Sequence, residues 1–183
     1  MEYNRTNRLG KLDHFRARHL TIMALLLAMR ILLSFIPAFK VGNIIQMGFG
    51  FVGTAFAGAI LGPLYGTVFA VLYDLLDILI IHPGPFFLGF TLSAALGGFL
   101  YAKCFWRQEP TLLRIFIYVA IVTVFINIGL NSLWLTILYD KAWVALIMPR
   151  LVKNAVSLIL NTAILYLVFK QKSVQRFVRK YQF

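Results

Sequence analysis

The sequence predicts an all-α integral membrane protein in which six transmembrane helices form one bundle. Of its 183 residues, 61% are hydrophobic and 13% are charged, whereas a soluble domain carries roughly 45–50% apolar and about 25% charged residues. The apolar residues form continuous runs close to the roughly 20 residues that a helix needs to cross a bilayer. This composition excludes a disordered chain and an ordinary soluble domain, and unbroken rather than alternating runs disfavour a membrane β-barrel.

Six apolar runs follow one another along the chain, and turn residues or charges separate them. The runs lie at about 20–37, 44–61, 64–81, 86–106, 112–138 and 146–169, and the breaks fall near Pro37, at Gly62-Pro63, at 82–85, at 107–110 and at Asp140-Lys141. We therefore expect a single membrane domain over 1–183. Its parts are a basic cytoplasmic segment at 1–19, the six-helix bundle at 20–169 and a basic cytoplasmic tail at 170–183.

The distribution of positive charge predicts the orientation of the bundle. The net charge is +12, but most cations flank apolar runs, which indicates membrane orientation rather than nucleic-acid binding. With both termini in the cytoplasm, 13 of the 18 Lys and Arg residues lie inside: Arg5, Arg8, Lys11, Arg16, Arg18, Lys103, Arg107, Arg114, Lys170, Lys172, Arg176, Arg179 and Lys180. The positive-inside rule therefore predicts an N-in, C-in topology.

Arg30 lies inside the first predicted span. A charge at the centre of a membrane helix costs about 2.5–3.5 kcal/mol on insertion scales, so such a residue usually faces a partner or a watery cavity. We expect Arg30 to line a functional cavity. The alternative is a structural ion pair with a carboxylate.

Three spans carry polar side chains on one face, at helical spacing. They are Arg150, Lys153, Asn154, Ser157 and Asn161 on the sixth, Thr123, Asn127, Asn131 and Trp134 on the fifth, and Asp74 and Asp77 on the third. Polar groups in hydrocarbon need partners, so the combination predicts a pocket near the outer face for a polar solute, and the cations in it favour an anion. Hydrogen bonds between helices, and carboxylates that merely neutralise cations, are the alternatives.

The remaining features qualify this hypothesis. Phe86 and Phe87 could stack on a flat heterocycle or face lipid. We expect no metal and no cofactor, because His82 has no second histidine near enough to complete a site and Cys104 is the sole cysteine. The sequence also lacks a GxxxxGK[ST] phosphate loop, so it cannot hydrolyse ATP by that route.

The first span has a second face made of small residues. Ala17, Thr21, Ala24 and Ala28 lie within about 60° of one another on a helix, away from Arg30. Such a ridge lets another helix approach closely. That helix could belong to a partner protein or to this chain.

Five stretches carry a family resemblance: GFGF at 48–51, AGAILGPLYG at 57–66, DLL at 74–76, GPFFLGFTLSAALGG at 84–98 and RLVKN at 150–154. Together they resemble the folate family of substrate-binding S components of energy-coupling factor (ECF) vitamin transporters. The resemblance implies a six-helix bundle in the bacterial cell membrane that binds its vitamin from outside. It also implies a T component, in contact with Ala24 and Ala28, and two ATPase subunits.

The sequence and this resemblance together predict a folate-binding transport subunit rather than an enzyme. The residues expected to bind substrate are Arg30, Asp74, Phe86, Phe87, Asn127, Asn131, Trp134, Arg150, Lys153 and Asn154. Arg150, Lys153 or Arg30 would hold the glutamate tail of folate. The alternatives are another carboxylated vitamin such as pantothenate, a metal-dependent membrane enzyme that uses Asp74 and Asp77, and a scaffold or channel subunit.

Overall fold

The computed structural model describes the chain over 3–35, 39–41, 45–139 and 143–182, and most of it is helical. In chain order the elements are α1 (Tyr3–Phe35), β1 (Phe39–Val41), β2 (Ile45–Met47), α2 (Gly50–Leu76) with a π-helical continuation (Asp77–Ile81), α3 (Leu88–Phe105), α4 (Leu112–Ile121), a π-helical segment (Val122–Leu130), α5 (Asn131–Tyr139), α6 (Trp143–Lys170) and α7 (Lys172–Tyr181).

The helices confirm the predicted class, an α-helical membrane bundle. Within the part of the chain that the structure describes, four stretches are long and apolar enough to cross a bilayer, and a shorter apolar helix adds to them: Gly50–Ile81, Leu88–Phe105, Leu112–Leu138, Arg150–Lys170 and His19–Phe35. The count of six spans, the N-in, C-in topology and the single domain over 1–183 stay predictions. Because α1 begins at Tyr3, the basic segment predicted at 1–19 is helical from that residue.

The chain folds back on itself within α2, at Gly62. This glycine has φ 77° and ψ −179°, a backbone conformation that residues with a Cβ rarely adopt, and Pro63 follows it. A Cβ on Gly66 would lie 3.2 Å from the Cα of Gly58, whereas eight residues of straight helix span about 12 Å. The turn predicted at Gly62-Pro63 is therefore confirmed.

The α2 and α3 helices pack through glycine and alanine. A Cβ on Gly58 would lie 2.7 Å from the backbone nitrogen of Ala102, and one on Gly98 would lie 2.5 Å from the Cβ of Ala70. Small residues at such contacts let two helix backbones approach closely in a membrane. This packing fixes the position of the α2 carboxylates relative to α3.

A short antiparallel ribbon precedes α2 and corrects the predicted start of the second span. β1 pairs with β2 in a register that sets Phe39 opposite Met47. The second run was expected over 44–61, but its helix begins at Gly50. Hydrophobicity alone does not distinguish an apolar strand from the start of a helix, and Gly48 and Gly50 disfavour continuation of the helix toward the N-terminus.

Two segments are wider than an α-helix. Asp77–Ile81 and Val122–Leu130 are π-helical, with hydrogen bonds from residue i to i+5, a form that often occurs at functional sites. Each residue of a π-helix turns through a smaller angle than the 100° assumed from sequence. The angles predicted from the sequence therefore do not hold for every side chain beyond the second segment.

The predicted basic tail at 170–183 contains a helix, α7, that packs against the bundle. Its Val178 is buried. Gln182 Nε2 donates to the Ala59 carbonyl oxygen at 2.8 Å. A hydrogen bond thus attaches the tail to α2 close to the Gly62 turn, and the buried Val178 adds an apolar contact with the bundle.

Candidate functional site

Two adjoining cavities lie among α1, α2, α3, the second π-helical segment, α5 and α6. We call the 420 Å³ cavity that contains Lys153 the Lys153 cavity and the 390 Å³ cavity that contains Asp74 the Asp74 cavity, and together they form the chamber. Six residues line both: Arg30, Phe51, Tyr73, Asp77, Asn127 and Asn161. The volumes of the two cavities lie within the roughly 300–1,000 Å³ range of small-molecule sites.

The Lys153 cavity is lined by a cation and by amide and hydroxyl groups. Two successive turns of α6 contribute to the wall of this cavity, as the predicted stripe requires, through Lys153, Asn154 and Ser157. Lys153 is half-buried and Asn154 is buried. A half-buried ammonium beside amide donors suits a carboxylate.

The Asp74 cavity is rich in hydrogen-bond acceptors. Asp74 Oδ2 accepts a hydrogen bond of 2.8 Å from the hydroxyl of Thr91 on α3. Asp77 and Asn131 line the same cavity, so the predicted convergence of Asp74 and Asp77 on one face is confirmed. This end of the chamber suits a ligand group that carries N–H donors.

Arg30 lines both cavities. Its guanidinium lies 4.0 Å from the centre of the Tyr73 ring, a cation–π distance, and its Nε donates to Thr54 Oγ1 at 3.3 Å. A Cβ on Gly50 would overlap the Arg30 guanidinium, and one on Gly53 would lie 2.6 Å from its Cδ. The two glycines therefore make the room in which Arg30 reaches the chamber.

Asp77 belongs to the chamber although it was absent from the predicted set of binding residues. Its Oδ1 accepts a hydrogen bond of 3.1 Å from the Tyr73 hydroxyl and lies 3.0 Å from His82 Nδ1. The spacing of three residues from Asp74 was the sequence signal for it. These contacts connect the His82 loop to the wall that Arg30 occupies.

Arg150 was expected to hold an anionic group together with Lys153 and Arg30. Its guanidinium donates to Ser132 Oγ at 3.2 Å and contacts the Asn127 carbonyl oxygen at 3.5 Å, and it is not among the residues that line the chamber. The structure thus places Lys153 and Arg30 on the chamber and Arg150 against the backbone that presents Asn127.

The predicted aromatic residues lie beside the chamber. Phe87 and Trp134 pack with ring centres 5.8 Å apart and line a separate apolar groove, and Phe86 is 52% exposed. Trp134 reaches toward the chamber through Nε1, which donates to Ser93 Oγ at 3.0 Å. The aromatic ring that lines the Asp74 cavity from this region is Phe90.

The predicted set of binding residues omits several residues that line the chamber, although Asp77 and Asn161 were among the polar side chains expected to form the pocket. They are Phe51, Thr54, Tyr73, Asp77, Phe90, Tyr101 and Asn161. Asn161 could have been included, since it continues the Lys153 stripe on α6. The aromatic residues gave no comparable signal, because lining a cavity and facing lipid require the same apolar side chains.

The chamber offers no assembled metal site. Among the residues that the structure describes, no group of three or more His, Cys, Asp and Glu side chains could hold a metal ion. Asp74 and Asp77 instead contact Thr91, Tyr73 and His82.

The small-residue face of α1 is exposed. Ala17, Thr21, Ala24 and Ala28 are all accessible in the isolated chain, so these side chains do not serve internal packing. Leu20, on the same side of the helix, is 66% exposed. We call this surface the alanine face.

Comparison with known proteins identifies the family. A family model described as the substrate-specific component of ECF transporters matches residues 18–169. The folate transporter FolT of Clostridium novyi (strain NT) is 36% identical over 127 residues, which cover 69% of this chain and 74% of that protein. FolT of Leuconostoc mesenteroides subsp. mesenteroides is 31% identical over 177 residues, 93% of this chain and 92% of that one.

Solved structures share this fold. A crystal structure of FolT bound with folic acid matches 82% of this chain and 92% of its own, with a TM-score of 0.74 and 27% identity. The S component for biotin from an ECF-type ABC transporter matches 87% of this chain and 94% of its own, with a TM-score of 0.59 and 20% identity, a likeness of fold. The alternative of a metal-dependent enzyme is excluded, because this family consists of substrate-specific transporter components. The chain belongs to the substrate-specific components of ECF transporters, which are integral plasma-membrane proteins.

Proposed function

We propose that this chain is a folate-binding S component and that it holds folate in the chamber. The observation that carries the proposal is that one cavity of the chamber adds the ammonium of Lys153 to the shared wall, whereas the other adds the carboxylate of Asp74. Two relatives are named folate transporters, and a structural neighbour was crystallised with folic acid, which supports the same ligand here.

The chemistry of folate matches the two ends of the chamber. Folate joins a flat pteridine ring, which carries N–H donors, to an aromatic linker and a glutamate with two carboxylates. Lys153 and Arg30 attract the glutamate, while Asp74 accepts from the ring. Asn127, Asn131 and Asn154 supply further donors and acceptors.

The aromatic contacts of the ligand come from the same wall. Phe90 lines the Asp74 cavity and packs edge-on against Phe87, with ring centres 6.0 Å apart. We assign stacking on the ligand to Phe90. In this assignment Phe87 and Trp134 orient the wall behind Phe90, and Phe86 lies at its exposed margin.

Uptake requires partners in addition to this chain. The family implies a T component and two ATPase subunits, which would supply the energy that this chain does not. We assign the T component to the alanine face, because Ala24 and Ala28 are exposed and small enough for a second helix to approach closely.

The ligand assignment is tested by calorimetry on the purified chain in lipid nanodiscs. Folic acid should bind saturably at one site per chain, and pantothenate and biotin should not compete with it. Saturable binding of pantothenate with none of folic acid would replace the proposed ligand. Absence of saturable binding of any of the three would favour a scaffold role.

The partner assignment is tested by separating binding from transport. Ala24→Trp and Ala28→Trp should abolish folate uptake in cells that also express the T component and ATPases, while folic acid affinity of the purified chain stays unchanged. Ala163→Trp, an exposed position on α6, is the matched control and should transport normally. Normal uptake in both α1 variants would show that the alanine face does not contact the T component.

A further inference from the structure

The α7 helix is amphipathic and lies at the end of the bundle opposite the chamber. It contacts α2 near the Gly62 turn, whereas Gly50 and Asp77, which line the chamber, lie toward the other end of the two arms that meet at this turn. At 100° per residue, four cations share an arc of about 100°: Lys172, Arg176, Arg179 and Lys180. The apolar and aromatic side chains occupy the other side of the helix: Val174, Phe177, Val178 and Tyr181. The helix therefore has one cationic face and one apolar face.

An apolar contact and a hydrogen bond hold α7 against the bundle. Val178 is buried in the core, and Val174 packs against that core. Gln182 Nε2 donates to the Ala59 carbonyl oxygen, which in a continuous helix would accept from the N–H of residue 63. Residue 63 is Pro63 and has no N–H, so Gln182 supplies the donor that this carbonyl lacks. The helix is therefore docked on α2, and its cationic face has a fixed direction.

The cationic face is turned away from the bundle, and little acidic charge lies beside it. Lys172, Arg176 and Lys180 are exposed, and none of the three has an acidic partner among the described residues. Arg179 differs, because it forms an ion pair of 2.7 Å with Glu109 in the turn between α3 and α4. Three cations of α7 can therefore bind an anion from outside the chain.

The position of α7 identifies the bilayer surface as the source of that anion. The helix follows the membrane-spanning stretch Arg150–Lys170 after one residue, Gln171, whose extended backbone ends the span. It therefore begins where the hydrocarbon ends. Phe177, at the margin of the cationic face, is 47% exposed, and such a ring gains free energy by leaving water for the boundary between headgroups and acyl chains. Cations and an aromatic ring on a helix at this depth are typical of binding to anionic lipids.

We propose that α7 is a membrane-surface helix that binds the phosphate headgroups of anionic phospholipids through Lys172, Arg176 and Lys180. Phe177 lies at the acyl boundary beside those headgroups. Docking on α2 positions the three cations in advance, so binding requires little further ordering of the chain. The site does not involve the chamber, so it can fail without affecting the proposed function, and the proposed function can fail without affecting it.

The experiment is native mass spectrometry of the full-length chain in detergent, which resolves the binding of single lipid molecules. The probes are phosphatidylglycerol, which is anionic, and phosphatidylcholine with the same acyl chains, which is zwitterionic. The α7 triple variant combines Lys172→Gln, Arg176→Gln and Lys180→Gln. The charge-matched control on α1 combines Arg5→Gln, Arg8→Gln and Lys11→Gln. Thermal unfolding establishes that each variant is folded.

The parent chain should bind phosphatidylglycerol about tenfold more tightly than phosphatidylcholine. The α7 triple variant should reduce this preference to about twofold, whereas the α1 control should keep it. Equal affinity of the parent for the two lipids would overturn the proposal. Equal losses in the two triple variants would also overturn it, because they would indicate an effect of net charge alone.

Two further measurements distinguish other sources of the anion. Free glycerol 3-phosphate should not displace bound phosphatidylglycerol, and displacement would identify a soluble phosphate as the ligand instead. Folate uptake by the α7 triple variant is measured in cells that also express the T component and ATPases. A loss of uptake, together with no lipid preference in the parent chain, would show that the cationic face binds a protein and would refute the lipid site.

Discussion

The two cavities of the chamber share a wall, yet their chemistry differs. The Lys153 cavity adds an ammonium and a buried amide to the shared residues, whereas the Asp74 cavity adds a carboxylate and the amide of Asn131. A ligand with a charged end and a donor-bearing ring can satisfy both cavities in one orientation. If the chamber holds folate as proposed, electrostatics as well as shape would determine the orientation of the ligand.

The largest expected effect is at the acceptor end. Asp74→Ala removes a charge-assisted hydrogen bond worth about 1.5–3 kcal/mol, so folic acid affinity should fall about 10- to 100-fold. Asp74→Asn, which keeps the shape, should lose less than Asp74→Ala. Calorimetry measures both. An Asp74→Ala chain that is folded and binds folic acid normally would remove Asp74 from the ligand.

The cationic end should show a smaller loss that depends on the ligand's charge. Lys153→Ala should weaken folic acid binding about tenfold, since about 1.4 kcal/mol corresponds to a factor of ten. It should not change the affinity for folic acid dimethyl ester, whose tail is neutral. Lys172→Ala, on the exposed surface of α7, is the control of equal charge. Equal losses for acid and ester would break the proposed division of the chamber.

Displacement of Arg30 tests the wall that both cavities share. Gly50→Ala places a Cβ in the space of the Arg30 guanidinium. It should weaken folic acid binding only about fivefold, which corresponds to about 1 kcal/mol, because the long side chain can adjust. Gly84→Ala, where the nearest atom lies 3.8 Å away, is the matched control. Unchanged affinity in Gly50→Ala would show that Arg30 does not contribute to folic acid binding.

The smallest effect concerns the group that orients Asp74. Thr91 donates to Asp74 Oδ2 at 2.8 Å, and Thr91→Val removes this donor at constant volume. Because Thr91 orients Asp74 and does not itself contact the ligand in this assignment, folic acid affinity should fall only roughly threefold, or about 0.6 kcal/mol. A competition assay with labelled folate resolves this change. A loss as large as that of Asp74→Ala would show that Thr91 contacts the ligand itself.

The sequence predicted the class of fold and several chamber residues because both rest on strong constraints. Long apolar runs and the Gly62-Pro63 turn indicate where the helices lie. Polar groups without a hydrogen-bond partner cannot face lipid. Arg30, Asp74 and Lys153 therefore had to turn inward, and the structure places all three on the chamber.

The missed features depend on backbone geometry that no simple residue pattern encodes. The π-helical segment changes the angle per residue, so Trp134 leaves the stripe that begins at Thr123 and lies on the apolar groove. β2 lies within the apolar run predicted at 44–61, and hydrophobicity alone does not distinguish such a strand from the start of a helix. The aromatic wall has no periodic signal in the sequence. Phe87 was therefore expected to contact the ligand, whereas the ring that lines the Asp74 cavity is that of Phe90.

An experimental structure of this chain with folic acid bound tests the proposed orientation of folate in the chamber most directly. We expect the pteridine ring in the Asp74 cavity, within hydrogen-bond distance of Asp74, and the glutamate carboxylates nearest Lys153. A ligand bound in the reverse orientation, or outside the chamber, would contradict it.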